Sequence, residues 1–301
     1  MIEQTYKNGN CMTTINLING TKKHKTIDDD ATEFKFDFAE SADVCITEKC
    51  DGCCKWCYAG CTPQGKHADL NAKFLDTLHP YTELAINGND LSHPDLLPFL
   101  EKMAKKHILV SMTVNQMHFE RHFDFICNLV RAGLIKGLGV SLVHPTEEFI
   151  EKIKRFPTAV IHIIAGILTK EDLDKLANNN LKILILGYKT MKNRGKTYYE
   201  SGHKEEIDAK IKWLSDNLGS YLDKFKVVAF DNLCIEQLNV RKIIGEEMWK
   251  KHYMGDDGTH TFYIDLVNKK FAKTSISDKQ YDLLDNVDDM FKVIQNSERL
   301  F

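Results

Sequence analysis

Six of the nine cysteines, Cys45, Cys50, Cys53, Cys54, Cys57 and Cys61, fall within residues 45–61, while Cys11, Cys127 and Cys234 stand apart. In a reducing compartment, soft thiolate ligands gathered this way read as metal binding or redox chemistry before they read as disulfides. Zinc would use the Cys-x2-Cys knuckles Cys50/Cys53 and Cys54/Cys57. Those knuckles abut, whereas a four-cysteine zinc site normally draws its pairs from segments about a dozen residues or more apart. Nothing downstream supplies a second cysteine pair, and the adjacent Cys53 and Cys54 would diverge in an extended chain. The other register is Cys50-x3-Cys54-x2-Cys57, with Trp56 just before the last thiol. A short loop carrying three thiolates can hold three irons of a cubane cluster and leave the fourth iron without a protein ligand. An open metal position is the mark of a catalytic site.

Count, spacing and aromatic together resemble the radical S-adenosylmethionine (radical SAM) superfamily, whose loop is Cys-x3-Cys-x-aromatic-Cys, matched at Cys50, Cys54, Trp56 and Cys57. The resemblance implies a 4Fe–4S cluster on these three thiols and S-adenosyl-L-methionine (SAM) chelating the open iron through its amine and carboxylate. It also implies reductive cleavage to methionine and a 5′-deoxyadenosyl radical, which abstracts hydrogen from a substrate. An external electron donor is required, and the substrate, whether peptide, nucleoside or nucleotide, or protein, is not encoded in the motif. The competing class is a metal-binding structural or electron-transfer protein, with zinc or an iron–sulfur group and no SAM cleavage. Cys45, in the apolar run Val44-Cys45-Ile46, reads as a small buried hydrophobe, and Cys53 and Cys61 read as loop filler.

A loop of this kind needs strands to carry it and helices to cover them. Apolar, β-branched runs followed by polar breaks and helical patterns occur at Asp43–Thr47, Glu83–Ile86, Ile108–Val114, Leu138–Val143, Ala159–Leu168 and Leu181–Leu186. Amphipathic stretches lie between them at Asp95–Lys106, Phe119–Ala132, Glu147–Arg155 and Glu171–Ala177. This alternation predicts an α/β fold with a parallel sheet and helices outside. Six units suit the partial (β/α)6, TIM-like barrel that the resemblance implies, with Val227–Phe230 as a possible seventh strand after the helical stretch His203–Leu218. Thr169 and Thr146, each followed by acids, read as helix N-caps. Cys11–Ile18 and Thr21–Ile27 around Asn19-Gly20 predict an N-terminal β-hairpin. Thr261–Val267 and Phe271–Thr274 predict a second hairpin, and acidic Ser277–Phe301 a surface helix. The expected division is an N-terminal extension over 1–40, a barrel over 41–235 and a C-terminal extension over 236–301.

Active sites of parallel barrels sit beyond the carboxyl ends of the strands. There the resemblance assigns SAM contacts to several residues. Asn87-Gly88-Asn89 stands where the family has Gly-Gly-Glu to receive the SAM amino group. Asn115 and Ser141 take positions that hydrogen-bond ribose and carboxylate. Gly166 and Gly187 lie in stretches that meet the adenine. As isolated residues, all of these are also ordinary turn and cap formers. The loop Lys189, Lys192, Arg194, Lys196 reads either as a solvated surface loop or as a lid over an anion. Asp231, Asn232 and Gln237 read as lining the substrate side, the pair Asp256/Asp257 as ligands of a substrate amine or metal or as a solvated turn, and His144 as a turn residue or a base.

Composition excludes several classes. Of 301 residues, 43% are hydrophobic and 28% charged, with no run approaching the ~20 apolar residues of a bilayer span. A net charge of -3 argues against binding nucleic acid by bulk charge. The opening MIEQTYKNGNCMTT has no apolar block after a basic cluster, so a cytoplasmic address is expected.

Overall fold

Residues 3–28, 30–31, 33–87 and 90–297 are described by the structure, a computed structural model. Strands β1 (Glu3–Asn8), β2 (Cys11–Asn16) and β3 (Lys22–Thr26) form an antiparallel sheet in chain order. The hairpin expected from Asn19-Gly20 is therefore a three-stranded sheet. The added strand, EQTYKN, has little apolar signal of its own and is held by backbone pairing from Glu3↔Asn16 to Asn8↔Cys11.

Seven strands follow: β4 (Ser41–Cys45), β5 (Glu83–Asn87), β6 (Leu109–Asn115), β7 (Gly137–Ser141), β8 (Ala159–Ile164), β9 (Lys182–Leu186) and β10 (Val227–Phe230). They pair in parallel and in chain order, the outcome of repeated strand–helix–strand crossovers. Strand β11 (Thr261–Asp265) then joins the far side of β4, also in parallel, and β12 (Lys270–Ala272) and β13 (Tyr281–Asp282) continue antiparallel. The ten-stranded sheet runs from β10 to β13 and is open. The first strand of the expected C-terminal hairpin thus extends the barrel sheet rather than standing outside it. Buried Phe262 and Ile264 explain why, since the free edge of β4 supplies the hydrogen bonds and the helices supply the cover.

Helices Leu96–Lys105, Glu147–Lys154, Lys170–Leu176 and Lys204–Asn217 return between strands close to where periodicity places them. The stretch Phe119–Ala132 is instead two helices, Gln116–Arg121 and Phe123–Arg131, separated by the non-helical His122. Thr146 accepts from the Phe149 N–H, and Thr169 forms a reciprocal capping box with Asp172. The C-terminal helix Val287–Gln295 is more than a surface element, because Val287, Met290, Phe291 and Ile294 are buried.

The two faces of the barrel sheet differ. Leu84 and Ile86, Val110, Met112 and Val114, Ile161 and Ile163, and Ile183 and Ile185 face the helices and are buried. The alternate positions, including Glu83, Asn87, Ser111, Thr113, Asn115, His162 and Leu184, are half-buried and line the concave side. A closed barrel fills that side with packed layers. Here it is left polar and reachable by water, which makes room for ligands.

The N-terminal sheet is fastened by one buried carboxylate. Glu40 accepts from Tyr6 Oη at 2.6 Å, Asn8 Nδ2 at 2.7 Å, Thr13 Oγ1 at 3.2 Å and Lys22 Nζ at 3.0 Å. Burial opposes its ionisation, but His24, Lys22, Tyr6 and Asn8 outweigh that and hold its carboxyl well below the usual range.

Candidate cofactor site

Residues 46–68 leave the carboxyl end of β4 and double back on themselves. The bridges Thr47↔His67 and Lys49↔Thr62 pin the base of this loop, and the Cys50 N–H donates to the Thr62 carbonyl at 2.8 Å. The cysteines lie in the tip. Gly52 lets the turn close around sulfur: a β-carbon there would stand 3.3 Å from Cys50 Sγ and 3.8 Å from Cys54 Sγ, so both thiols flank one small gap. The Gly52 N–H donates to Cys50 Sγ at 3.3 Å. Exposed Cys53 takes a left-handed backbone, φ 49, which interrupts the extended chain between Cys50 and Cys54.

The three thiols of the motif influence one another. Burial pushes Cys50 and Cys54 up, and the Cys57 charge pushes both further. Cys57 moves the opposite way: the neighbouring Cys61 thiol and the Arg194 cation favour its thiolate against burial. Among the described residues, only Cys50, Asp51 and His118 bring three metal-binding atoms within 4.8 Å of one another. The three motif thiols do not all come that close to one another. Asp51 itself is occupied, receiving His118 Nε2 at 2.6 Å and Arg121 at 2.6 Å, which hold it down at about 2. This pair ties the cysteine loop to the helix after β6.

The ends of the neighbouring strands face the loop. Asn115 ends β6, caps the next helix by accepting from the Met117 N–H at 2.9 Å, and turns Nδ2 toward Cys54 Sγ at 3.8 Å. Ser141 is its register partner on β7 and is followed across the sheet by His162 on β8. Asn87 ends β5 beside Cys45, whereas Gly88 and Asn89 lie outside the described residues. Trp56 packs edge-on to Tyr198, ring centroids 6.0 Å apart, and together with Val143, Ile164, Gly166 and Ile207 it lines a cavity of about 270 Å³. Gly166 is required there, since a β-carbon would sit 2.5 Å from Ile207 Cγ2. Gly187 lies elsewhere: its N–H donates to Asp231 at 2.9 Å and its Cα abuts Leu233 and Cys234.

The segment 189–198 closes over the loop instead of standing in solvent. Asn193 Nδ2 donates to the Tyr58 carbonyl at 2.7 Å, Arg194 Nη2 to the Cys61 carbonyl at 2.7 Å, and Lys189 Nζ lies 3.8 Å from the Tyr58 ring centre. Basic composition alone is common on surfaces, so these contacts had no sequence signal. Asp231 and Gln237 serve the helix that follows, Asp231 capping Cys234 and Gln237 bonding both backbone polar groups of Tyr188. Asn232 bonds Asp257 at 2.7 Å. His144 is exposed, 3.4 Å from Asp172.

Two lumen groups carry no sequence motif. Asp43 on β4 is reached by water from the lumen, yet protein surrounds it closely enough that desolvation pushes its carboxyl up to about 6, with Lys189 opposing and Glu83, Asp257 and Asp231 adding to the rise. His162 is likewise enclosed, and desolvation lowers its imidazole to about 4. Gly139 makes room for it, since a β-carbon there would lie 2.5 Å from His162 Cε1.

No family model and no curated protein matches the chain. Solved structures do. The structure of Streptococcus suis SuiB bound to S-adenosylmethionine aligns at TM-score 0.55 and 11% identity, covering 82% of this chain and 64% of that one. SuiB bound to its precursor peptide SuiA aligns at 0.52 and 12%, covering 88% and 62%, and SuiB alone at 0.51 and 13%, covering 88% and 67%. The chain thus spans roughly two thirds of the length of these proteins. It shares their fold, an open and mostly parallel α/β barrel of the kind that the cysteine motif implied.

Proposed function

We propose that the chain is a radical SAM enzyme. The observation that carries this reading is that Cys50 and Cys54 flank one gap in the loop leaving the carboxyl end of β4, at the edge of an open barrel face, with Cys57 three residues further on. The donor set fits a 4Fe–4S cluster on these three cysteines, with one iron left for SAM. When bound, such a cluster supplies the electron that cleaves SAM to methionine and a 5′-deoxyadenosyl radical.

The remaining roles belong to side chains. Asn115 and Ser141, in register at neighbouring strand ends, are assigned the polar groups of SAM. The reading assigns Asn87, Gly88 and Asn89 the ammonium end of the ligand, for which an Asn amide oxygen is an acceptor. Trp56 and Gly166 bound the cavity suited to the adenosyl group, where apolar Val143 and Ile164 exclude water. The reading gives Gly187 a backbone position near the adenine. Asp43 and His162 face the lumen where a substrate would be held. SuiB, the protein of similar fold, has been crystallised with a precursor peptide, which supports a peptide or protein substrate here. Among the described residues no helix is long and apolar enough to cross a membrane.

The test is anaerobic reconstitution followed by dithionite and SAM. Release of 5′-deoxyadenosine by the intact chain, abolished in Cys54→Ala, is the expected result. Equal release from both proteins, or from neither, refutes the assignment.

A further inference from the structure

Arg194 is built into the cysteine loop in a way the motif does not anticipate. Its segment is wedged against the loop backbone: a β-carbon on Gly195 would lie 2.6 Å from the Lys189 carbonyl and 3.4 Å from that of Trp56. Asn193 and Tyr198 grip the loop on either side, at Tyr58 and Trp56. Between them the Arg194 guanidinium donates through Nη2 to the Cys61 carbonyl at 2.7 Å. Its Nε–H is buried and, among the described residues, has no hydrogen-bond partner. An orphaned, buried N–H on a cation costs stability unless something accepts from it. The thiols of Cys57, Cys53 and Cys54 are near enough to act on its charge.

We propose that Arg194 is a positioning residue for the iron–sulfur cluster, holding Cys57 in place and donating charge-assisted hydrogen bonds to the cluster's sulfur so that its reduction potential is raised. This rests on the reading under Proposed function. The sign follows from charge: reduction adds one electron to an already anionic group, and a fixed guanidinium donor stabilises the more negative state more strongly. Lysine at 194 would keep the charge but lose the planar fork that holds the Cys61 carbonyl while leaving Nε–H free to donate.

The experiment is an EPR-monitored redox titration with dithionite, in the absence of SAM, on the reconstituted full chain and its Arg194→Gln and Arg194→Lys variants. Iron content and circular dichroism are recorded for each. Loss of the guanidinium is expected to lower the reduced-to-oxidised ratio at a fixed potential about tenfold, a midpoint about 59 mV more negative for this one-electron couple. Arg194→Lys is expected to show a smaller shift of the same sign. If Arg194→Gln holds no cluster, the lysine variant decides alone. Midpoints unmoved from wild type, with iron content intact, overturn this inference and leave the proposed function standing. A wild-type chain that takes up no cluster overturns both.

Discussion

His162 gives a pH dependence that can be worked through from its surroundings. Its imidazole is enclosed in the lumen, and desolvation alone lowers it from 6.5 to about 4. The unfolded chain protonates this group near its ordinary value, whereas the folded chain resists protonation until the lower one. Its contribution to stability is therefore fully present above pH 6.5 and is lost as pH falls through the folded value. At 1.36 kcal/mol per unit, the difference is about 3 kcal/mol. Asp43, pushed up to about 6, works in the opposite sense over much of the same window, since its protonation favours the folded state. The total pH profile of the wild type thus mixes both, and a comparison with His162→Gln isolates the histidine. Urea unfolding of both proteins at about pH 7 and about pH 4 should show the wild type losing about 3 kcal/mol more than the variant on acidification. NMR titration of the ring should show it neutral at pH 7 and protonating only well below its usual range. Parallel pH profiles for the two proteins, or a ring titrating at its ordinary value, would refute the enclosure argument.

Other expectations concern how the site is supported. Glu40→Ala removes the acceptor for Lys22, Tyr6 and Asn8 and strands Lys22, only 9% exposed, so a loss of about 3–5 kcal/mol is expected in denaturant melts, partly recovered by adding Lys22→Met. A loss below about 1 kcal/mol would contradict the latch. Gly166→Ala drives a methyl into Ile207 and the buried ring of Tyr188. It should cost about 1–3 kcal/mol and weaken SAM binding measured by equilibrium dialysis; unchanged affinity would mean that the cavity beside Trp56 is not the adenosyl site. Thr169→Ala removes the hydroxyl half of a capping box and should lower stability by about 1 kcal/mol in denaturant melts, whereas an unchanged midpoint would mean that the cap adds nothing.

The central strands were legible because both their apolar content and their β-branching are strong, as in Ala159–Ile164 and Lys182–Leu186, and because polar breaks separate them. Strand β1 was not, since its stability comes from backbone pairing to β2 and not from a hydrophobic run. The attachment of β11 to β4 spans most of the chain, and local pattern carries no information about such a distant partner. The cysteine register could be read because metal ligation imposes spacing on sequence. Arg194 and Lys189 could not be placed, because a basic loop looks the same in solvent as when folded over a thiol cluster. Asp43 and His162 were hidden for a related reason: each sits in an ordinary apolar strand, and only the fold shows that both face the concave side.

The central claim is that Cys50, Cys54 and Cys57 hold a cluster with one position free for SAM. Metal analysis and EPR of the anaerobically reconstituted, reduced chain, before and after SAM is added, address it most directly. The account predicts about four irons per chain and a cluster signal that changes when SAM binds. One zinc per chain in a colourless protein, or a cluster signal indifferent to SAM, would contradict it.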